Sequence, residues 1–213
     1  VTTAGGVMAN LADDMRNLQR TEIGEVGEEF DQNQVGSSTM PQKQNPIGFE
    51  NVKSLWKIVT PRLMTVLMDQ ISEHQRDLTN SASSRTYGEI IAYVVEMSKR
   101  LTLVMRKLTV NRINMQRNFD MQKDLLAAEP LQLILASLGH PDAHEKVRQM
   151  TLKAKQERKT LQEIGRGDGE IQEYAGRASL WQLARINDPS LYTGIAAQKA
   201  RSVAENWKNK LGL

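Results

Sequence analysis

The sequence predicts an all-α protein, in which a bundle of long helices is followed by a smaller helical domain. Apolar residues recur with helical spacing along three long segments, the pattern of helices that pack on one face. Aromatic residues make up only 5% of the chain, and no segment alternates apolar and polar residues as a strand does. The three apolar series are Met8, Leu11, Met15, Leu18 and Ile23; Val52, Leu55, Val59, Leu63, Val66 and Ile71; and Ile91, Val94, Met97, Leu101, Val104 and Leu108.

The breaks between these series set the order of the elements. The second series continues past Pro61, so we expect this proline to kink the second helix rather than to end it. A polar loop at residues 35–47 separates the first two helices, and a second polar break at 72–86 precedes the third. Beyond about residue 110 the helices are expected to be shorter, and the last stretch, which ends near Leu211, is expected to be amphipathic. The later breaks fall at 139–141, 165–169 and 187–189, and all three are expected to be loops.

We therefore divide the chain into two domains. Residues 1–112 are expected to form part of a helical bundle that carries the loop 35–47. Residues 113–213 are expected to form a smaller helical C-terminal domain. The chain begins at Val1 inside a helical pattern, and we interpret it as a fragment or processed piece.

Composition narrows the class of protein. The 28 basic and 25 acidic residues leave a net charge of +3, too small and too dispersed to predict a nucleic-acid partner. No apolar run reaches the roughly 20 residues that span a membrane, and there is no cysteine for a disulfide framework or thiolate metal site. We expect a cytoplasmic protein without a membrane partner.

The loop Gly36–Pro46 combines the groups that stabilise a developing negative charge. Ser37 and Ser38 offer hydroxyls, Lys43 an ammonium and Asn45 an amide, and Gly36 permits unusual backbone dihedrals. Such a set suits a carboxylate or an oxyanion, and a serine of lowered pKa could act as a base. Composition alone equally allows a solvated polar linker.

The letters GSSTMPQKQNP resemble the signature of the fumarase/aspartase superfamily, Gly-Ser-Ser-x-Met-Pro-x-Lys-x-Asn-Pro, at every fixed position. The resemblance implies an anti-elimination that releases fumarate. It implies that Ser37 is the base that removes the Cβ proton, and that Ser38 holds a substrate carboxylate. Lys43 and Asn45 would stabilise the aci-carboxylate, and Glu50 would orient this cluster.

A second polar segment, QRDLTNSASSR, carries Arg76, Ser81 and Arg85. Two arginines and a serine suit a phosphate, although an exposed turn that caps the next helix has a similar composition. The spacing resembles the phosphate-gripping segment of the adenylosuccinate lyase family, and NPIGFEN resembles its bacterial type. The resemblance implies that these three residues bind the 5′-phosphate of a nucleotide, and that Gln44 and Asn51 also contact the substrate.

This resemblance implies a substrate, a reaction and partners. The expected reaction is the elimination of fumarate from adenylosuccinate, giving AMP, and from the succinyl-carboxamide ribotide of purine biosynthesis. The family forms homotetramers whose active sites are shared between subunits, and it uses no metal or other cofactor. Its general-acid histidine is expected upstream of this chain, because His74, His140 and His144 do not match its position. The alternatives are an argininosuccinate or carboxymuconate enzyme of the same superfamily, and a non-catalytic helical assembly module.

Overall fold

The chain divides into two compact units, Val1–Gln116 and Arg117–Leu213, which are described separately below. Whether the domains predicted at 1–112 and 113–213 fold independently stays a prediction. The computed structural model describes residues 1–30, 40, 44–75 and 77–212.

Three long helices dominate the first unit, which confirms the all-α prediction. Helix α1 packs against α2, and α2 against α3, with Phe49, Val52 and Met97 fully buried between them. Helix α2 is continuous through Pro61, as expected. The elements are α1 (Thr2–Leu18), β1 (Val26–Glu28), α2 (Ile47–Met68), a 3₁₀ turn (Ser83–Arg85), α3 (Thr86–Arg106), β2 (Leu108–Val110) and α4 (Arg112–Leu126), which runs on into the second unit.

Two short strands, absent from the sequence prediction, join the end of α1 to the end of α3. β1 and β2 are antiparallel, with Val26 opposite Val110 and Glu28 opposite Leu108. The Asn111 amide extends this ladder by donating to the Glu25 carbonyl oxygen, at 2.8 Å. The ladder fixes Glu28, whose side chain contributes to the candidate site.

The predicted apolar series run past the observed helix ends. Ile23 lies in the turn after α1, Ile71 lies beyond α2 and is 84% exposed, and Leu108 belongs to β2. At the start of α3 the buried residue is Ile90, whereas the predicted Ile91 is 55% exposed; the predicted Met97 and Leu101 are buried. Apolar spacing therefore located the three helices but ran past each of their C-terminal ends.

The second unit is built from shorter helices, as predicted. Side chains of Asp142, Thr160, Asp168 and Ser179 accept hydrogen bonds from backbone amides at the starts of α6 to α9, which is how the chain begins a new helix after each break. The core is formed by apolar side chains such as Leu135 and Val147. The helices are α5 (Ala128–Ser137), α6 (Ala143–Glu157), α7 (Leu161–Arg166), α8 (Gly169–Arg177), α9 (Leu180–Asn187) and α10 (Ala196–Leu211), with a 3₁₀ turn at Pro189–Leu191.

The expectation of a loop at 165–169 is wrong in part. Gly165 and Arg166 complete α7, Gly167 ends it, and Asp168 caps α8, so the chain passes almost directly from one helix to the next. In the part of the chain that the structure describes, no helix combines the length and apolarity needed to cross a membrane.

Candidate active site

The predicted site residues fall into two groups at opposite ends of α2. Gln44, Asn45 and Glu50 lie at its N-terminal end, and Ser81 and Arg85 follow its C-terminal end. Four further predicted residues lie outside the described part of the chain: Ser37, Ser38, Lys43 and Arg76.

The first group lines a polar cleft between the end of α1 and the start of α2, which we call the loop-exit cleft. Gln44, Asn45 and Glu50 line one side of it, and Arg16, Arg20 and Thr21 are among the residues of the other. Asn51, also predicted to contact substrate, is half-buried on α2 and is not among the residues that line the cleft. The structure thus brings together three of the predicted residues that it describes.

Among the residues that the structure describes, the cleft carries one cation available for an anionic ligand. Arg16 is engaged by Asp13, at 2.8 Å between Nη1 and Oδ1, and Asp13 also contacts Lys53 Nζ at 2.6 Å. The hydrogen bond from Lys53 holds the pKa of Asp13 below its usual value. Arg20 is exposed, and its guanidinium forms no ion pair or hydrogen bond with the residues that the structure describes. A substrate carboxylate in this cleft would meet that guanidinium.

Glu28 holds the first turn of α2, a role that the sequence analysis missed. Its carboxylate oxygens accept hydrogen bonds from the backbone amides of Gly48, at 3.0 Å, and Phe49, at 2.7 Å. The Glu28 amide donates to Gln19 Oε1 at 2.9 Å, and Gln19 Nε2 approaches the Gln44 carbonyl oxygen at 3.5 Å. No local sequence signal predicts this cap, because 20 residues separate Glu28 from the turn it caps.

The second group is built around Asp69, which ends α2. Its Oδ1 accepts from the Ser83 hydroxyl at 2.6 Å, and its Oδ2 accepts from the Tyr87 hydroxyl at 2.5 Å. Its carbonyl oxygen accepts from Asn80 Nδ2 at 2.9 Å. Asp69 therefore ties the segment around Ser81 to the helix end, a second role that the sequence analysis missed.

Ser81 and Arg85 are left available by this arrangement. Both side chains are exposed, and neither has a hydrogen-bond or ion-pair partner among the residues that the structure describes. Arg85 caps the 21-residue helix α3, whose N-terminus carries a partial positive charge. Nearby, the Thr79 hydroxyl and amide hold the pKa of Asp77 below its usual value, because both hydrogen-bond to its carboxylate. The segment therefore offers an anion a hydroxyl, a guanidinium and a helix N-terminus.

The two groups are too far apart to contact one small molecule within a single chain. At about 1.5 Å per residue, the 22 residues of α2 span about 33 Å. A nucleotide with a succinyl group is much shorter than this helix. One copy of the chain thus supplies two separate parts of a site.

The three histidines lie outside both groups. His74 is exposed in the segment between α2 and α3, and His144 lies in the first turn of α6. The His140 side chain is 5% exposed, and its Nδ1 accepts from the Asp142 amide at 3.0 Å. Its Nε2 lies 3.1 Å from a Glu170 carboxylate oxygen but forms no hydrogen bond with the described residues. These contacts indicate a structural role for His140. The described residues contain no cluster of three or more side chains able to ligate a metal.

Comparison with known proteins identifies the family of this chain. The sequence family described as adenylosuccinate lyase C-terminal matches residues 72–185, and the family described as lyase matches residues 2–60. The chain belongs to the adenylosuccinate lyase family. The lyase match contains the loop-exit cleft, and the adenylosuccinate lyase C-terminal match contains Ser81 and Arg85.

Individual relatives agree with this assignment. The chain is 40% identical to an adenylosuccinate lyase of Pyrococcus horikoshii over 90% of its own length and 42% of that protein's. It is 38% identical to one of Methanocaldococcus jannaschii, over 92% and 43% of the two chains. The fold also matches a 3-carboxy-cis,cis-muconate lactonizing enzyme from Pseudomonas putida, with a TM-score of 0.76, 28% identity, and coverage of 97% and 46%. The chain spans less than half the length of these relatives.

Proposed function

We propose that the protein is an adenylosuccinate lyase, which eliminates fumarate from adenylosuccinate to give AMP. The same reaction on the succinyl-carboxamide ribotide of purine biosynthesis is part of the proposal. The observation that supports it most is the segment before α3, where the side chains of Ser81 and Arg85 have no partner among the described residues. They suit a phosphate, a group that the substrates of related lyases lack.

In the proposed mechanism, Ser37 removes the proton from Cβ of the succinyl group. The electron pair moves onto the adjacent carboxylate, where Lys43 and Asn45 stabilise the resulting aci-carboxylate. Ser38 binds a substrate carboxylate. The C–N bond then breaks as the double bond of fumarate forms, and the leaving nitrogen takes a proton. We do not assign that proton to His140, because its side chain is 5% exposed within the second unit and its Nδ1 already accepts from the Asp142 amide.

The phosphate end of the substrate is assigned to Arg76, Ser81 and Arg85. An arginine donates two charge-assisted hydrogen bonds to a phosphate, and serine adds a neutral donor. Because α2 separates these residues from the loop-exit cleft by about 33 Å, we further propose that one active site draws its two ends from different copies of the chain. This favours a homo-oligomer, and we propose a cytoplasmic tetramer.

The first test is fumarate release from adenylosuccinate by the complete protein. Ser37→Ala should abolish turnover and leave AMP binding within about twofold, because the base contributes to the chemical step and not to the phosphate grip. Ser54→Ala, an exposed serine on α2, serves as the matched control. Turnover by Ser37→Ala at the wild-type rate would refute the assignment of the base.

The phosphate assignment is tested with Arg85→Ala. We expect KM for adenylosuccinate to rise at least tenfold, because a charge-assisted contact contributes about 1.5–3 kcal/mol. KM for the dephosphorylated analogue, succinyladenosine, should change less than twofold. Arg100→Ala is the control on the same helix, since Arg100 is paired with Glu96 at 2.6 Å. An equal effect of Arg85→Ala on both substrates would contradict a phosphate site.

The shared site is tested by mixing two impaired variants and measuring at a substrate concentration well below the KM of Arg85→Ala. Ser37→Ala and Arg85→Ala, unfolded and refolded together in equal amounts, should regain about a quarter of wild-type activity, since each site then draws its two ends at random. Refolded alone, Ser37→Ala should stay inactive and Arg85→Ala should show about a tenth of wild-type activity or less at this substrate concentration. No recovery in a correctly assembled mixture would place both ends of the site in one copy.

The fold match to the carboxymuconate enzyme supports a second candidate, a lyase or cycloisomerase acting on a tricarboxylate without phosphate. That function predicts no release of fumarate from adenylosuccinate and no effect of Arg85→Ala on substrate affinity. A non-catalytic assembly module predicts no turnover of either substrate by a folded, oligomeric protein.

A further inference from the structure

The carboxylate of Glu28 occupies a position at which it can control how the chain enters α2. One oxygen accepts the Gly48 amide at 3.0 Å, and the other accepts the Phe49 amide at 2.7 Å. A helix N-terminus leaves its first amides without intrahelical partners, and a carboxylate there satisfies both the hydrogen bonds and the helix dipole. Glu28 is therefore a cap that comes from a strand and not from the helix's own flank.

Two interactions hold the backbone of Glu28 in place. Its backbone lies opposite Leu108 in the β1–β2 ladder, and its amide donates to Gln19 Oε1 at 2.9 Å. Gln19 also approaches the Gln44 carbonyl oxygen with its Nε2, at 3.5 Å. Contacts from Gln19 and Glu28 therefore hold the chain at two points, at Gln44 before α2 and at the first turn of α2.

Gly48 makes the close approach of Glu28 possible. A Cβ on Gly48 would lie 3.1 Å from Glu28 Oε1, 3.3 Å from its Oε2 and only 2.3 Å from Val104 Cγ2. The absence of a side chain at this position lets the carboxylate and α3 both reach the helix end. Asn45, which lines the loop-exit cleft, sits between the two anchored points.

We propose that Glu28 is a positioning residue for the elimination, an inference that rests on the proposed function. It acts through the backbone of Gly48 and Phe49, and it fixes where Asn45 meets the succinyl half of the substrate. By occupying these two amides, Glu28 also keeps a substrate carboxylate from binding at the helix N-terminus.

The test uses Glu28→Gln in the complete enzyme. The glutamine oxygen can accept one amide, but its NH₂ group faces the other amide N–H, so one anchor is lost. We expect kcat to fall about tenfold or more, because a displacement of the catalytic groups by a fraction of an ångström costs that much. Fumarate should bind at least about tenfold more weakly, whereas AMP affinity should stay within about twofold, since the phosphate end lies at the other end of α2.

Two controls separate positioning from loss of stability. Glu29→Gln changes the next residue, an exposed carboxylate paired with Lys107 at 3.3 Å, and should leave kcat unchanged. Thr160→Ala removes a helix cap in the second unit and should lower the Tm by about as much as Glu28→Gln does. It should leave the affinities for fumarate and for AMP unchanged. A Glu28→Gln enzyme with kcat within twofold of wild type, or with an effect matched by Thr160→Ala, would overturn the inference.

A second readout does not depend on turnover. Amide hydrogen exchange across residues 44–49 should accelerate about tenfold or more in Glu28→Gln and stay unchanged in Glu29→Gln. Unchanged exchange in Glu28→Gln would overturn the inference even if the enzyme is a lyase. Faster exchange together with no fumarate release by the wild type would instead refute the proposed function and leave Glu28 as a structural anchor only.

Discussion

Gly48→Ala should destabilise the first unit, although alanine is a better helix former than glycine. Gly48 is the second residue of α2, and an added Cβ would lie 2.3 Å from Val104 Cγ2. Carbon atoms in proteins do not approach so closely, so either Val104 or the start of α2 must move. Because Glu28 bonds to the Gly48 amide, movement of the helix start also strains this cap.

Three contributions decide the magnitude of the change. The helix gains about 1 kcal/mol from replacing glycine by alanine. Overpacking in a close contact costs about 1–3 kcal/mol, and weakening a hydrogen bond to a carboxylate costs about 1.5–3 kcal/mol. The net loss is therefore about 1.5–5 kcal/mol, and each kcal/mol lowers the Tm of a chain of this size by about 2–4 °C.

The assay is urea and thermal unfolding, at one protein concentration, of Gly48→Ala beside Gly88→Ala. Gly88 lies in the first turn of α3, and a Cβ there would meet no atom within 4 Å, so its replacement should stabilise by up to about 1 kcal/mol. Val104→Ala in the Gly48→Ala background should recover part of the loss, because it removes the clashing methyl group. Equal stability of the two glycine variants would refute the close-approach argument.

Three more changes test the anchors and the core. Asp69→Ala should raise KM for adenylosuccinate about tenfold with a smaller effect on kcat, measured by steady-state kinetics; an unchanged KM would contradict its role in placing the phosphate segment. Burial alone raises the pKa of Asp168, but the hydrogen bond from Lys146 brings that pKa below its usual value. The Lys146–Asp168 pair therefore stabilises the folded state fully above about pH 4, and this stabilisation is lost as the pH falls further. Lys146→Met should thus cost on the order of 1 kcal/mol at pH 7, and unfolding curves should show this difference shrinking below about pH 4; a constant difference would exclude the ion pair as its cause. Leu135→Ala should cost about 2–5 kcal/mol in chemical unfolding, whereas the half-exposed Leu133→Ala should cost much less, and equal costs would contradict the placement of the core.

Helix positions were predictable because their signal is local, and helix ends were less so. The apolar series from Met8 to Leu18 corresponds to α1, but it did not show that the helix ends at Leu18. The chain there enters a turn that is stabilised by Gly24 at φ +60° and by Asn114 Nδ2, which donates to the Gly24 carbonyl oxygen at 2.9 Å. Asn114 lies 90 residues away in the sequence, so periodicity within one segment contains no trace of this contact.

The same limit applies to the candidate site. The signature letters identified the loop before α2 and the segment before α3, because their chemistry is carried by residues close together in the sequence. The strands β1 and β2 were not predicted, since three residues are too few for an alternating pattern to register. Glu28 became visible only when that ladder placed it against the start of α2.

One acidic side chain outside the recognised motifs holds each end of α2. Glu28 accepts hydrogen bonds from backbone amides of the first turn. Asp69 accepts hydrogen bonds from the hydroxyls of Ser83 and Tyr87, which follow the last turn in the sequence. Each carboxylate thereby satisfies the donors that would otherwise compete for an anionic substrate. In the described part of the chain, Ser81 and Arg85 are left without protein partners. Under the proposed function, α2 holds the two groups of predicted site residues about 33 Å apart, and a complete site would then require different copies of the chain to come together.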